Sequence, residues 1–287
     1  MQIKWELNPF PYAIVDNYLD KDQFRELLKE LDGIKPELQN KFSSALEKKN
    51  IYKNLSLKKN SKKFVKKVGS REIKDVISSF SGGLPILSLG ETENFSGYST
   101  FHVTKSRGML GSHVDHSDIQ NGKYFHIANT IFYASSKWQK EWGGETILFS
   151  NNGLIPKVII EPLPNRLIIF IHSANSFHGV KAYNPIDKTY RKTFYHDYYI
   201  DKKNKFEVIK FINKNRSKKL IFTRHGTTFI PFFPNGIKDI SINKLLAKTN
   251  LKYIPAYLIY LINKKFKTNL ISLRISLFKT IKDFLLN

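Results

Sequence analysis

The sequence predicts a mainly β protein with flanking helices, and two observations support that prediction. Short runs rich in β-branched and aromatic residues, separated by Gly, Asn and Pro, recur from about residue 95 to about residue 200. Helical periodicity precedes this region and returns after about residue 203. The expected strands cover residues 98–104, 125–133, 145–149, 157–161, 166–172, 178–183 and 189–200. Short strands at this spacing are typical of an antiparallel sandwich or barrel.

Two helices are expected before these strands. Asp20 is a suitable N-cap for a helix over residues 21–32, which carries Phe24 and three leucines on one face. A second helix is expected over residues 71–80, and the Ser-Gly-Gly stretch at 81–83 ends it.

The rest of the N-terminal part is predicted to be less regular. Residues 8–16 indicate a short strand followed by a turn. Residues 40–67 are rich in Lys, Asn and Ser and only weakly periodic, so we expect an exposed loop with fragments of helix.

Positive charge is concentrated in two segments. Of the net charge of +23, residues 35–75 carry +9 and residues 201–287 carry +15, so the remainder is close to neutral. Such segments suit an anionic partner, which could be an anionic membrane surface, a nucleic acid or another polyanion. A general bias toward Lys, Asn and Ile explains the same charge without any binding role.

The chain is therefore divided into a strand-rich unit with its N-terminal helices, residues 1–202, and a basic helical C-terminal extension, residues 203–287. Residues 240–287 could cap the barrel or form a dimer interface, lie on an anionic membrane, or grip an anionic substrate. Pro255 argues against one continuous helix in this segment. The oligomeric state is left open.

Cysteine is absent from all 287 residues, which excludes disulfides and thiolate metal sites. The N-terminus lacks the pattern of a secretory signal, and the longest apolar stretch, near 254–262, is too short to span a bilayer. We therefore expect a cytoplasmic protein and leave open a peripheral position on a membrane surface.

Histidine and aspartate form two tandem His-x-Asp triplets, His113-Val-Asp115 and His116-Ser-Asp118. In a strand, residues i and i+2 point to the same face, so either pair could ligate one metal from one side. We prefer His113 with Asp115, because Val114 suits the outward-facing central position better than Ser117 does.

A third ligand is available in a distant segment. His178 lies sixty-five residues beyond His113, and two imidazoles with one carboxylate form the facial triad of non-haem iron(II) oxygenases. Arg191 follows on the next expected strand with Thr193 on the same face, and a buried guanidinium suits a carboxylate in two-point geometry.

Motifs around these residues resemble, in the same order, those of the prolyl-4-hydroxylase-like 2-oxoglutarate- and iron(II)-dependent oxygenases. Besides the residues above, the resemblance includes Trp-Gly-Gly-Glu-Thr at 142–146 and Ser-Phe-His-Gly-Val at 176–180. It extends over residues 96–201, and the opening 10–19 also resembles that group. Segments 35–75 and 203–287 are not part of it.

The resemblance implies a double-stranded β-helix, or jelly roll, in which His113, Asp115 and His178 bind Fe(II). It implies that Arg191 pairs with the distal carboxylate of the co-substrate 2-oxoglutarate. Tyr133 would help to hold that carboxylate, and Thr193, Asn129, Ile131 and Thr146 would face the same pocket. Ascorbate is left open as an auxiliary reductant.

The implied function is dioxygenase chemistry, with hydroxylation favoured because Asp115 is retained where related halogenases carry a small residue. The candidate substrates are a prolyl residue, a free amino acid, and a sugar or other small metabolite. The alternative from a different class is a non-catalytic β-sandwich that binds nucleic acid or anionic glycan through its basic flanks.

Overall fold

The computed structural model describes residues 3–32, 40–43, 47–52, 59–88, 99–150, 153, 155–173, 175–187, 189–204, 207 and 227–229. Within these residues the α-helices are α1 (Lys21–Asp32), α2 (Lys59–Val68) and α3 (Arg71–Phe80). The strands are β1 (Tyr12–Val15), β2 (Asn40–Ser43), β3 (Glu47–Tyr52), β4 (Ser99–Thr104), β5 (Gly108–Val114), β6 (Asp118–Ile119), β7 (Tyr124–Tyr133), β8 (Thr146–Phe149), β9 (Pro156–Ile160), β10 (Leu167–Ile171), β11 (His178–Tyr183), β12 (Arg191–Asp201) and β13 (Thr228–Phe229). No helix in this described part is long and apolar enough to cross a membrane.

Local sequence signals place the first and third helices at their expected boundaries. Asp20 caps α1, since its Oδ1 accepts a hydrogen bond from the backbone N–H of Gln23 at 2.7 Å. The third helix ends where Gly83, at φ +83°, donates its N–H to the carbonyl of Ser78 at 2.8 Å. Both helix predictions are confirmed.

The prediction of an exposed loop over residues 40–67 is wrong for residues 40–43 and 47–52, which are strands, whereas the helix over residues 59–67 agrees with the expected fragments of helix. Strands β2 and β3 pair antiparallel, and α2 follows them. Strand β3 pairs with both β4 and β5. Its backbone is thus held by partners far away in the sequence, which a local hydrophobic pattern does not reveal.

The strands join antiparallel in the order β1-β10-β7-β12-β4-β3-β5-β11-β8-β9, with β2, β6 and β13 attached to β3, β7 and β5. Strands at opposite ends of this path pack face to face. Tyr133 and Phe170 from β7 and β10 share an apolar cluster with Leu148 and Ile160 from β8 and β9. The sheet therefore folds over on itself, and the expected jelly roll is confirmed.

Helices cover the outer face of the β10–β7–β12 part of the sheet. Along β10, Leu167 and Ile169 pack with the helical residues Leu27 and Phe64. The alternate residues Ile168 and Phe170 point into the jelly roll. Because both faces are covered, all five residues of β10 are buried.

The strand predictions are confirmed to within two residues at each end, and β5 is an additional strand. At the other end of the chain, β13 pairs with β5 through Thr228↔Val114 and Phe229↔His113. The rest of the proposed extension lies almost entirely outside the described residues. Its helical character, its boundary near 202, and its association with a membrane or polyanion stay predictions, as does the same association for residues 35–75.

Candidate metal and co-substrate site

Strand pairing brings the two predicted histidine ligands together. His113 on β5 and His178 on β11 are direct partners in the antiparallel register, and their ring centroids are 4.2 Å apart. Asp115 follows one residue after the end of β5, and its carboxylate reaches back to both imidazoles. One ligand atom from each of the three residues lies within 4.8 Å of the others, so the group could hold a metal ion.

The distances within this triad suit a single ion. The Nε2 atom of His113 is 3.3 Å from Asp115 Oδ1, and the Nε2 atom of His178 is 3.4 Å from Asp115 Oδ2. A metal bound to nitrogen and oxygen donors at about 2.1 Å places neighbouring donors about 3 Å apart. The three side chains therefore need only small adjustments to meet at one centre.

Backbone carbonyls fix which nitrogen of each imidazole faces that centre. His113 Nδ1 is 2.9 Å from the carbonyl of Gly111, and His178 Nδ1 is 3.0 Å from the carbonyl of Ser176. A carbonyl oxygen can only accept a hydrogen bond, so each Nδ1 carries the proton. Each neutral ring then presents the Nε2 lone pair to the centre, which is the arrangement that a metal ligand requires.

Protonation states at neutral pH also suit metal binding. Burial is the main cause that lowers the pKa of His178 to about 4, and the neighbouring imidazole of His113 acts in the same direction. Burial opposes ionisation of Asp115, but His178 and His113 outweigh it and hold the pKa of this carboxyl well below its usual range. The group therefore supplies neutral imidazole and ionised carboxylate, which are the forms that ligate metals.

Two further side chains hold the carboxylate of Asp115. The Tyr195 hydroxyl donates to Asp115 Oδ2 at 2.7 Å, and Asn129 Nδ2 donates to the same oxygen at 3.0 Å. Asn129 was expected to face the pocket, and its amide in fact contacts Asp115. Sequence reasoning missed Tyr195, although alternation along β12 from Arg191 and Thr193 places it on the same face.

Arg191 lies in the interior with the predicted tyrosine. Its guanidinium is 5.2 Å from the ring centroid of Tyr133, its Nε donates to the Gly144 carbonyl at 2.8 Å, and its Nη2 donates to the Thr146 hydroxyl at 3.3 Å. The Tyr133 hydroxyl donates to the same Thr146 oxygen at 2.6 Å. Thr193 is buried and lies opposite Tyr133 in the β12–β7 register.

The charge of Arg191 lacks a counter-ion among the described residues. The residue is 5% exposed, and no described carboxylate lies within ion-pair distance of its guanidinium. A buried cation is costly unless it is paired, and a guanidinium has five N–H donors. The site therefore fits an anionic ligand in addition to a metal, and a dicarboxylate such as 2-oxoglutarate has the required charge.

Among the residues that the structure describes, the second His-x-Asp triplet is not part of a metal-compatible group. His116 Nε2 lies 3.1 Å from the Tyr199 hydroxyl, and the carboxylate of Asp118 accepts a hydrogen bond from Ser117 at 2.8 Å. Neither side chain belongs to the metal-compatible group. The geometry therefore favours His113 and Asp115 over the second triplet.

The other described histidines occupy structural positions. His126 Nε2 is 3.2 Å from Asp197 Oδ1, and the ring stacks on His172 at 4.2 Å. His196 Nε2 is 2.7 Å from the Ser88 hydroxyl. His102 stacks on Tyr195 near the triad, and His225 lies outside the described residues.

Residues 99–196 match the sequence model of the 2OG-Fe(II) oxygenase superfamily. This stretch of the chain is therefore similar to the 2OG-Fe(II) oxygenases. The matched stretch extends from β4 into β12 and contains the His113–Asp115–His178 triad as well as Arg191. A domain of this superfamily uses iron(II) and 2-oxoglutarate, and the donors and the buried cation described above fit both groups.

Two solved structures are similar to this chain over about two thirds of its length. One is a prolyl hydroxylase from Trichoplax adhaerens in complex with a peptide fragment of the hypoxia inducible factor oxygen degradation domain. Its sequence is 16% identical to this chain, and the TM-score is 0.50. The match covers 70% of this chain and 88% of that one. A prolyl-4-hydroxylase from Pseudomonas putida is 14% identical with a TM-score of 0.49, over 68% of this chain and 94% of that one. No curated protein sequence matches the chain.

Proposed function

We propose that this chain is an iron(II)- and 2-oxoglutarate-dependent dioxygenase that hydroxylates its substrate. The observation that carries the proposal is a metal-compatible triad in the same interior as a buried arginine that has no carboxylate partner among the described residues. When bound, iron(II) with 2-oxoglutarate and dioxygen supplies oxidation in which one oxygen atom enters a substrate C–H bond and the other enters succinate, with release of carbon dioxide.

The described side chains have separate roles in this proposal. His113, Asp115 and His178 would hold the metal through two nitrogens and one oxygen, a set that leaves positions open for the co-substrate and dioxygen. Arg191 would bind the distal carboxylate through N–H groups that Gly144 and Thr146 do not use.

The spacing along β12 is consistent with one co-substrate joining both groups. Tyr195, which contacts the metal ligand Asp115, lies four residues after Arg191 on the same face of the strand. Four residues of antiparallel strand span about 13 Å. A five-carbon dicarboxylate bound at Arg191 would extend along this face of β12 toward Tyr195 and Asp115.

Iron(II)- and 2-oxoglutarate-dependent hydroxylation is compatible with several classes of substrate. A prolyl residue, a free amino acid, and a sugar or other small metabolite are the candidates. The Trichoplax adhaerens prolyl hydroxylase was solved with a peptide, but its likeness to this chain concerns the fold. A screen of peptides and metabolites that measures succinate release would rank these classes.

Binding and turnover of 2-oxoglutarate test the proposal. The full chain should form succinate from 2-oxoglutarate when it is supplied with iron(II) and dioxygen. Replacing Arg191→Met should weaken 2-oxoglutarate binding to the Mn(II)-loaded protein by about 10- to 100-fold, because hydrogen bonds to charged groups contribute roughly 1.5–3 kcal/mol each.

Arg166→Met is the matched control, because Arg166 is also an arginine with limited exposure but pairs with Asp16 away from the triad. This variant should bind 2-oxoglutarate like the wild type. A wild-type protein that neither binds 2-oxoglutarate nor forms succinate, and binds polyanions in a salt-sensitive manner, would instead support the non-catalytic β-sandwich.

A further inference from the structure

The carboxylate of Asp115 is held asymmetrically. Both donors that approach it, the Tyr195 hydroxyl and the Asn129 amide, bond to Oδ2. Its Oδ1 accepts from neither of them and lies 3.3 Å from His113 Nε2, whereas Oδ2 lies 3.4 Å from His178 Nε2 as well as next to both donors. Two hydrogen bonds on one oxygen restrict rotation of the carboxylate and occupy lone pairs on that oxygen.

Tyr195 is itself supported by a neighbouring ring. His102 on β4 stacks nearly parallel to it, with ring centroids 5.8 Å apart and an interplanar angle of 10°. A phenolic hydroxyl is a hydrogen-bond donor at neutral pH, and Asp115 Oδ2 is its acceptor. A chain of contacts thus runs from His102 through Tyr195 to Asp115.

The two donors differ in how tightly they are packed. Asn129 is completely buried, and within the described part of the chain its own Oδ1 has no hydrogen-bond partner. Tyr195 is only partly buried. Removing the Tyr195 hydroxyl therefore disturbs the core less than removing the Asn129 amide does.

We propose that Tyr195, braced by His102, and Asn129 are positioning residues that hold Asp115 Oδ2 so that Oδ1 is the oxygen presented to the metal. The inference rests on the proposed metal site and adds the residues that orient its single carboxylate. Partners that orient a metal ligand typically change metal affinity by about 10- to 100-fold when they are removed.

Co(II) binding to the full-length protein tests this role without turnover. Tyr195→Phe should weaken Co(II) binding by about tenfold and alter the visible ligand-field spectrum of the bound ion, since the carboxylate is free to rotate. The unfolding midpoint of the metal-free variant in urea should remain close to that of the wild type. Asn129→Leu provides a second variant, with the same expected weakening and spectral change.

Tyr199→Phe is the matched control. It removes another hydroxyl from β12, one that donates to Asp197 at 3.2 Å instead of to Asp115. Its Co(II) affinity and spectrum should equal those of the wild type.

The outcomes separate the two proposals. If wild type binds Co(II) and Tyr195→Phe and Asn129→Leu bind it with unchanged affinity and spectrum, the positioning role is overturned while the metal site stands. If wild type binds no Co(II), the proposed function fails, and the positioning role fails with it.

Discussion

His178 and His196 are both buried imidazoles, and burial lowers the pKa of each to about 4. For His178 the consequence is a neutral ring that can ligate a metal at neutral pH. His196 faces Ser88 on the other face of β12, away from the triad, and contributes to packing. Burial therefore prepares His178 for metal binding, whereas at His196 it affects only the stability of the fold.

Acid should destabilise the metal-free protein through His196. Between pH 6.5 and 4 the unfolded chain binds a proton at this residue and the folded chain does not, so the free energy of unfolding falls as the pH falls. The difference between 6.5 and 4 corresponds to about 3 kcal/mol. Urea unfolding across this pH range should show that the free energy of unfolding depends less on pH in His196→Gln than in the wild type. An equal pH dependence in both proteins would contradict the lowered pKa of His196.

Two strands carry the metal ligands, and their close approach depends on a glycine. A Cβ atom added at Gly179 on β11 would lie 2.7 Å from the Leu110 carbonyl oxygen and 3.1 Å from that of Gly111. Both oxygens belong to β5. Gly179 therefore allows β11 and β5 to approach each other closely beside His178. A larger side chain at position 179 would push β5 away, and His113 with it.

Gly179→Ala should destabilise the protein by about 1–3 kcal/mol, as overpacking usually does, and should also weaken Co(II) binding. Gly83→Ala is the control: its Cβ would meet nothing within 4 Å, but φ +83° makes the substitution unfavourable by roughly 1–2 kcal/mol. It should lower the urea midpoint without changing Co(II) affinity. Unchanged Co(II) binding by Gly179→Ala would count against the importance of this strand contact.

At the start of α1, Asp20→Ala should lower the free energy of unfolding by about 1 kcal/mol, because the N–H of Gln23 loses its acceptor. Asp22→Ala removes a carboxylate from the same turn but only an exposed ion pair with Arg25. Its urea midpoint should stay near wild type. Equal effects of both substitutions would show that charge, and not capping, is responsible.

For the whole molecule, the helices and the site lie on opposite faces of the same strands. Phe64 of α2 packs against Phe132 and Phe194, with ring centroids 4.5 and 4.7 Å away. The opposite faces of β7 and β12 carry Tyr133 and Arg191. Helix packing therefore supports the strands that position the site without contributing ligands to it.

Phe64→Ala should lower the free energy of unfolding by about 3–5 kcal/mol, since it leaves a cavity between helix and sheet. The fraction that remains folded should bind Co(II) with wild-type affinity. Ile186→Ala is a control at a side chain that is 92% exposed and should have no measurable effect on unfolding. A large loss of metal affinity in folded Phe64→Ala would show that the two faces are coupled.

Structural features that depend on short stretches of sequence could be predicted from the sequence alone. The N-cap at Asp20 and the glycines after residue 80 determined two helices, and alternating β-branched residues determined most strands. The triad could also be proposed, since His113 and Asp115 form a local pattern and His178 lies in a segment that resembles the known family. Local hydrogen bonding and residue spacing are sufficient for such assignments.

Other features depended on which distant strands pair. The tertiary structure alone decided that residues 40–43 and 47–52 form two paired strands, because β3 is held by β4 and β5. It also decided that the Tyr195 hydroxyl reaches Asp115 across eighty residues of chain. Backbone pairing register and side-chain reach between strands are properties of the folded chain, and a local sequence pattern does not encode them.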